Sequence, residues 1–262
     1  MPPLHPSIRP AHNPFSSFAG TKIRHLPEWD LAKNYVDAVA KRDVSRVDGV
    51  RRDPGLTLRL LRSLARHQAT LSTIHSDLAV NEGHTMTEET LSAYLQVLKR
   101  IFVIEDMEAC NPNLKSKSAI RTSDTRYFVD PSIGVAALGM RPIGLINDPK
   151  AMGLLFETLC VRDLRIYAES LGGSIFHFRD RNGLECDAVV QLRNGRYGLV
   201  EIKLGGEALT EAGAKTLKNL ASKIDTDKMG EPSFMMVLTG TGSIAYRRQD
   251  GVLVIPVGSL KP

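Results

Sequence analysis

The sequence contains no G-x-x-x-x-G-K-[ST] run, so none of its 262 residues supplies the phosphate cradle of a P-loop nucleotidase. ATP hydrolysis by this chain is not expected. Also missing are an H-E-x-x-H pair and an acid-base-nucleophile trio, which sets aside zincin and triad hydrolase chemistry. No stretch reaches the roughly 18 uninterrupted apolar residues of a membrane span. The Pro-rich start lacks the apolar core of a signal peptide, which leaves the cytoplasm as the expected compartment. Cysteine is scarce: Cys110, Cys160 and Cys186 are odd in number and lack metal-ligand spacing, so buried reduced thiols are expected rather than a disulfide or a zinc site.

What remains is the composition of an ordinary soluble chain. With 42% hydrophobic and 24% charged residues, it can bury the cores of two modest domains. A formal charge of +5 permits contact with nucleic acid without establishing it. Arg51, Arg52, Arg59, Arg62 and Arg66, then Lys115, Lys117, Arg121 and Arg126, crowd the first half. They form either a phosphate-facing stripe or a set of ion pairs with nearby acids.

Along the chain, residues 1–25 read as an irregular Pro-rich tail. Residues 26–142 read as a helical, winged-helix-like domain. Its first helix spans Trp29 to Lys41, with Leu31, Tyr35, Val36 and Val39 at helical spacing, and is available to pack on the second domain or to mediate oligomers. Helices are expected over Leu58 to His67, over Ser72 to Val80, and from near Thr85, where Thr85-x-x-Glu88 has capping-box spacing. In the last of these, Leu91, Leu95, Leu98 and Phe102 make a stripe for burial. Wing strands are expected at Phe102 to Asp106 and at Arg126 to Val129. Glu88 and Glu89, at the end of the third helix where a recognition helix meets DNA, would repel phosphate. Lys99 and Arg100 on its later turns, with Lys115 and Lys117 in the loop, are the candidate nucleic-acid contacts.

The second domain, residues 143–262, opens at Asp148, which can cap a helix with Pro149 in its first position, running to about Leu171 before Gly172-Gly173. Glu157 sits inside it among Leu154, Leu155, Phe156 and Leu159, costly to bury unless it meets a cation, a metal or hydrogen-bond donors. Further on come a helix from about Leu209 to Ile224 and strands at Phe234 to Leu238 and Val252 to Val257. The fold class is α/β, with a mixed sheet flanked by helices. Gly205-Gly206 is expected as a mobile junction, Gly240-Thr241-Gly242 as a turn, and His177 as a structural histidine in a strand.

The densest chemistry lies in GLECDAVVQLRNGRYGLVEIKL, Gly183 to Leu204. Leu184 to Leu192 and Tyr197 to Leu204 read as a hairpin about Arg193-Asn194-Gly195. If the loop has three residues, with Gly195 at positive φ, Leu192 pairs with Arg196 and Asp187 falls opposite Glu201. Asp187, Glu201 and Lys203 then project together; a two-residue loop would separate them. Two carboxylates suit Mg²⁺, a hard cation, and an adjacent ammonium can orient the attacking water. The acid-x-Lys half is weak by itself, since Asp148-Pro149-Lys150 matches it outside any strand.

An Asp followed by Glu-x-Lys on consecutive strands, after a helix bearing Glu157, resembles the core of the PD-(D/E)XK nucleases, whose fold is restriction-endonuclease-like. The order "GLLFETLCVRDL … FHFRDRNGLECDAVV … YGLVEIKLGG", preceded by "RYFVDPSIGVAALG" and "YVDAVAKRDV", resembles domain of unknown function 4143 over roughly residues 30 to 205, and loosely over the remainder. That domain usually forms the C-terminal part of AAA-type ATPases; with the motor sequence missing here, either the ATPase half is lost, or the sequence is a fragment or a split protein whose motor is encoded elsewhere, in which case a separate ATPase subunit is the expected partner. By this resemblance Asp187, Glu201 and the backbone carbonyl of Ile202 hold Mg²⁺, Lys203 aids the water, and Glu157 makes a further contact. Two functions remain open: a DNA-associated, Mg²⁺-dependent phosphodiesterase, or a non-catalytic module that binds nucleic acid or protein alongside an AAA-type ATPase.

Overall fold

The computed structural model describes residues 28–67, 71–81, 86–115 and 123–260. The Pro-rich tail, Thr85, Lys117 and Arg121 lie outside them. No described helix is long and apolar enough to cross a membrane.

The first unit is built of short capped helices. Helix α1 (Glu28–Ala38) continues through a π-helical turn at Val39–Asp43 into α2 (Val44–Arg46). Val36, Val39 and Val44 are buried, whereas Leu31 and Tyr35 are exposed. The first helix packs on α6 (Pro131–Leu138), and the Trp29 indole donates to the Met140 carbonyl at 2.6 Å. It is thus an integral wall of the first unit and does not lie on the second.

Helix α3 (Pro54–Arg66) starts at Asp53, whose carboxylate accepts from the Leu56 amide at 2.8 Å, the usual way of satisfying a free first-turn N–H. Helix α4 (Leu71–Val80) follows. Then comes α5 (Glu88–Arg100), capped by Thr87, which accepts from the Thr90 amide at 3.2 Å.

The far end of α5 departs from the periodic pattern. Phe102 takes φ +55°, its N–H bonds the Lys99 carbonyl, and the Val103 N–H bonds the Leu98 carbonyl. That pair of bonds is a Schellman stop. It turns the Phe102 ring out to 71% exposure, so the buried stripe ends at Leu98 and the strand β1 begins later, at Ile104–Met107. Strand β2 (Thr125–Phe128) pairs with it antiparallel, Ile104 opposite Phe128. Leu60, Leu61, Ile74, Leu78, Leu91 and Leu98 fill the core of this unit.

After α7 (Pro142–Ile146) comes the long α8 (Pro149–Ser170), whose N-cap Asp148 accepts from the Ala151 amide at 3.0 Å. Beyond it lies a mixed sheet of β3 (Gly173–Arg179), β4 (Glu185–Leu192), β5 (Tyr197–Lys203), β6 (Phe234–Thr239), β7 (Tyr246–Arg247) and β8 (Leu253–Pro256), in the order β3-β4-β5-β6-β8-β7. The β3, β4 and β5 meander is antiparallel, while β5, β6 and β8 run parallel. Helix α8 covers one face through Cys160, Val161 and Leu164. Helix α9 (Glu207–Lys223) covers the other through Ala214, Leu217 and Leu220. A short α10 (Thr226–Met229) leads into β6. All three cysteines are free and buried.

The hairpin has the three-residue loop: the Leu192 N–H bonds the Arg196 carbonyl at 2.8 Å, and Gly195 has φ +82°. Gly205-Gly206 is no open joint, because a Cβ on Gly205 would sit 1.9 Å from Thr241 Oγ1. The junction is instead a tight passage from β5 into α9.

The two units share their cores. Met107 and Tyr127 belong to the apolar cluster under α8, and Cys110 to the one under α9. Residues 108–110 pair with the outer edge of β3: the His177 N–H bonds the Glu108 carbonyl at 3.0 Å, and the Cys110 N–H bonds the His177 carbonyl at 2.6 Å. His177 also bonds the Ser123 carbonyl through Nε2 at 3.1 Å, and burial lowers its pKa. As a neutral donor it is a strut of the interface between the units.

Gly198 fixes how closely β6 approaches β5, since a Cβ there would lie 2.2 Å from the Phe234 ring. Gly198→Val should lower stability by about 1–3 kcal/mol, the usual range for overpacking. In urea unfolding the midpoint should fall with the slope unchanged; a midpoint equal to the parent's would contradict the packing argument.

Candidate active site

Four side chains singled out from the sequence converge where β4 and β5 part. The regular ladder ends at Ala188 opposite Val200. On the other side of β4, Phe176 faces Val189 but Phe178 faces Cys186. Asp187 and Ala188 together therefore oppose the single His177, which is a β-bulge. Continued in register, the ladder would next join Cys186 to Ile202. Instead the Asp187 carboxylate takes the Ile202 N–H, with Oδ2 at 2.7 Å. Asp187 thus reaches the site through a bulge, in the opening between the strands, and not through the simple face-sharing expected of a cross-strand pair. Because N–H and C=O of a strand residue point the same way, the Ile202 carbonyl faces that opening too.

Lys203 closes the cluster. Its Nζ lies 3.2 Å from Asp187 Oδ2 and 2.6 Å from Glu201 Oε2. Burial alone would lower the pKa of this ammonium, but Asp187 and Glu201 outweigh it and hold the pKa above its ordinary value. Lys203 is therefore a fixed cation here and not a ready proton acceptor. Glu201 is 4% exposed, and burial, with the nearby Asp187 charge, pushes its pKa up to about 7.

Glu157 comes in from α8. Its Oε1 accepts from the Tyr127 hydroxyl at 2.8 Å. Burial and the Asp187 charge push its pKa up to about 8. The Tyr127 phenol, itself pushed well up by burial and by Glu157, stays a neutral donor. The sequence gave no separate reason to choose Tyr127; its place in β2 makes it the link from the first unit to the acids.

Hard oxygen donors are thus gathered around one cation: Asp187, Glu201 and the Ile202 carbonyl suit Mg²⁺ by chemistry. Among the described residues, however, no three acid, histidine or cysteine side chains are arranged as a ready metal cluster. Lys203 stands between two of the acids. Burial first, and the Asp187 charge second, raise Glu157 and Glu201, so these acids are costly to ionise together beside the single ammonium of Lys203.

The other candidate contacts lie apart from these acids. Lys99 pairs with Asp106, and Lys115 Nζ donates to the Ser222 carbonyl at 3.2 Å near the end of α9. Arg100 is exposed. Much of the arginine stripe is paired: Arg52 is buried and forked on Asp48 at 2.7 and 2.8 Å, Arg66 lies 3.6 Å from Asp77, and Arg126 lies 3.6 Å from Asp106.

The family model described as "Domain of unknown function (DUF4143)" matches residues 152–260, the stretch that contains all four converging side chains. A different model, "Domain of unknown function (DUF8612)", matches residues 18–143. The DUF4143 match therefore starts later than the residue 30 expected and takes in the remainder that the resemblance covered only loosely, while the second model matches the helical unit. No curated protein matches the chain. Among solved structures the chain is similar to one in the "Refined half-complex from tetradecameric assembly of Thermococcus gammatolerans McrB AAA+ hexamers with bound McrC". Identity is 11%, coverage is 82% of this chain and 72% of that chain, and the TM-score is 0.27.

Glu157 holds its proton more tightly in the folded chain than in the unfolded one. Its contribution to stability is complete below the ordinary value of 4.5 and is lost as pH rises through about 8. A Glu157→Gln variant lacks that loss. In metal-free thermal denaturation, its melting temperature relative to the parent should rise from pH about 5.5 to pH about 9. A constant offset between the two proteins would show that Glu157 is not held protonated by the fold.

Proposed function

We propose that the chain is a metal-dependent phosphodiesterase acting on nucleic acid, with DNA as the first substrate to test. The observation that carries this reading is the convergence of Asp187, Glu201, Lys203 and Glu157 at the opening between β4 and β5. In this reading the sheet between α8 and α9 is a restriction-endonuclease-like core of PD-(D/E)XK type, and the helices with the β1 and β2 hairpin are a winged-helix-like unit.

Asp187, Glu201 and the Ile202 carbonyl would hold Mg²⁺. When bound, it supplies Lewis acidity toward a phosphoryl oxygen and lowers the pKa of a coordinated water. The chain's own groups do the rest. Lys203, kept cationic, places positive charge beside the reacting phosphate and orients the water. Glu157 carries a proton near neutral pH, held in place by the Tyr127 hydroxyl, and is placed to hand it to a leaving oxygen or to keep a carboxyl oxygen as acceptor once it is lost. The depth of the acids in the fold excludes bulk water, which strengthens each of these interactions.

A second reading rests on the same Lys203. Its bridge to Asp187 and Glu201 is what a purely structural ion triad would also look like, and a module that binds nucleic acid or protein without cleaving it would need nothing more.

The two readings part on cleavage. The parent should cleave supercoiled, linear or single-stranded DNA with Mg²⁺ or Mn²⁺. Lys203→Ala and Asp187→Ala should each reduce cleavage by on the order of 10²-fold or more while keeping DNA affinity. Absence of cleavage by the folded parent on every substrate and with either metal would leave the binding module in its place.

A further inference from the structure

Beside the acids lies a cleft to which both units contribute. It measures about 330 Å³ and is lined by Glu157 and Asp187, by Arg66 and His67 from the first unit, and by Lys150 of α8 and Arg179 of β3 from the second, the last paired with Glu185 at 2.9 Å. A second cleft of about 500 Å³ shares Arg66, His67, Lys150 and Leu154 with it and continues between α3 and the start of α8. The cations thus sit where the two spaces meet, and the acids sit at the inner end.

Arg66 and His67 are held on this wall by a buried carboxylate. Asp77, in α4, is 5% exposed. It receives His67 Nε2 at 3.1 Å and Asn81 Nδ2 at 2.5 Å, with Arg66 at 3.6 Å. Burial would raise its pKa, yet the nearby Ser63 hydroxyl and the hydrogen bonds from Asn81 and His67 prevail and keep it lowered. A charged acid inside a helical bundle is costly unless it is paired in this way. Two of its partners, Arg66 and His67, line the cleft, so the same buried charge also fixes the wall. Lys150, the second residue of α8, is exposed and makes no ion pair among the described residues.

We infer that this wall is a binding site for the phosphodiester backbone of a single nucleic-acid strand, with Arg66 and Lys150 holding phosphates next to the one that meets Asp187, and with Asp77 acting as the positioning residue. The inference rests on the phosphodiesterase reading only in taking the acids as the reacting end. Clefts of these volumes take a nucleotide or two of one strand inside them, whereas a base-paired helix would have to lie across their mouths. An end, a gap or an unpaired segment is therefore the form that enters.

The test uses the full chain and short oligonucleotides with phosphorothioate linkages, which resist hydrolysis, read by fluorescence anisotropy in Mg²⁺ across a salt series. Deoxyribose and ribose strands and a blunt duplex are compared. For single strands each lost phosphate contact lowers the steepness of log K against log salt by about 0.7. An Arg66→Ala/Lys150→Ala double variant should therefore flatten the slope by about 1.4 on whichever sugar binds, with the parent favouring a single strand over the duplex. Lys150→Ala by itself, at an exposed position, should flatten it by about 0.7, so the result does not depend on the double variant folding. An unchanged slope in either variant, equal affinity for the duplex, or no binding of either strand by the parent would overturn the inference. Cleavage of ordinary oligonucleotides is scored separately. A flattened slope with no cleavage by the parent sustains the cleft and removes the phosphodiesterase, while cleavage with an unchanged slope does the reverse.

Discussion

Everything distinctive about the second half of this chain follows from one hydrogen bond, that between the Asp187 carboxylate and the Ile202 N–H. A strand pair that stays zipped buries its polar backbone in the ladder and offers nothing to a ligand. Here the ladder is stopped two residues short of where its register would carry it, and a side chain takes the place of the missing backbone partner. The N–H is satisfied, so the opening carries no unpaired donor. The Ile202 carbonyl is left facing the gap, and Glu201 and Lys203 on either side of it meet Asp187 across it. The bulge at His177 supplies the extra residue that makes this geometry available.

Charge then determines how the gap behaves. Three carboxyl groups share the neighbourhood of one ammonium. Low exposure raises the cost of every unbalanced charge, which is why Glu157 and Glu201 hold protons toward neutral pH while Lys203 keeps its own. A site in this condition takes up a divalent cation with release of protons, or remains a closed ion triad. The same groups and distances serve both states, and the difference lies in what enters from the cleft.

The parts legible in the sequence are those with local causes. Asp148 followed by proline announces α8 in two adjacent letters; the same pair at Asp53 and Asp130 begins α3 four residues before the expected Leu58 and opens α6, a helix not expected from the sequence. Gly195 fixes the hairpin register, and with it the nearness of Asp187 to Glu201. The end of α5 was misread because Phe102 continues the apolar spacing, although its backbone turns left-handed to reverse the chain. Periodicity does not report where a helix stops. The bulge was not legible either, because the cause of Asp187's position is His177 on a neighbouring strand and the 108–110 segment beyond it. Tyr127 and the Arg66, His67 wall escaped for the same reason: nothing within ten residues of them in the chain points to Glu157.

Those distant partners show why the helical unit and the sheet cannot be treated as beads on a string. The segment leaving β1 adds itself to the edge of β3 at the residue that faces the bulge. Returning as β2, it buries Tyr127 beneath α8 and bonds Glu157. A shift of the first unit relative to the sheet would therefore act on the acids by two routes, through the backbone of His177 on one side of Asp187 and through the Tyr127 hydroxyl on the other. It would also move the wall braced by Asp77, since Arg66 and His67 stand on α3 and Lys150 on α8. Among the described residues, packed atoms thus join the helical unit to both sides of the acid cluster.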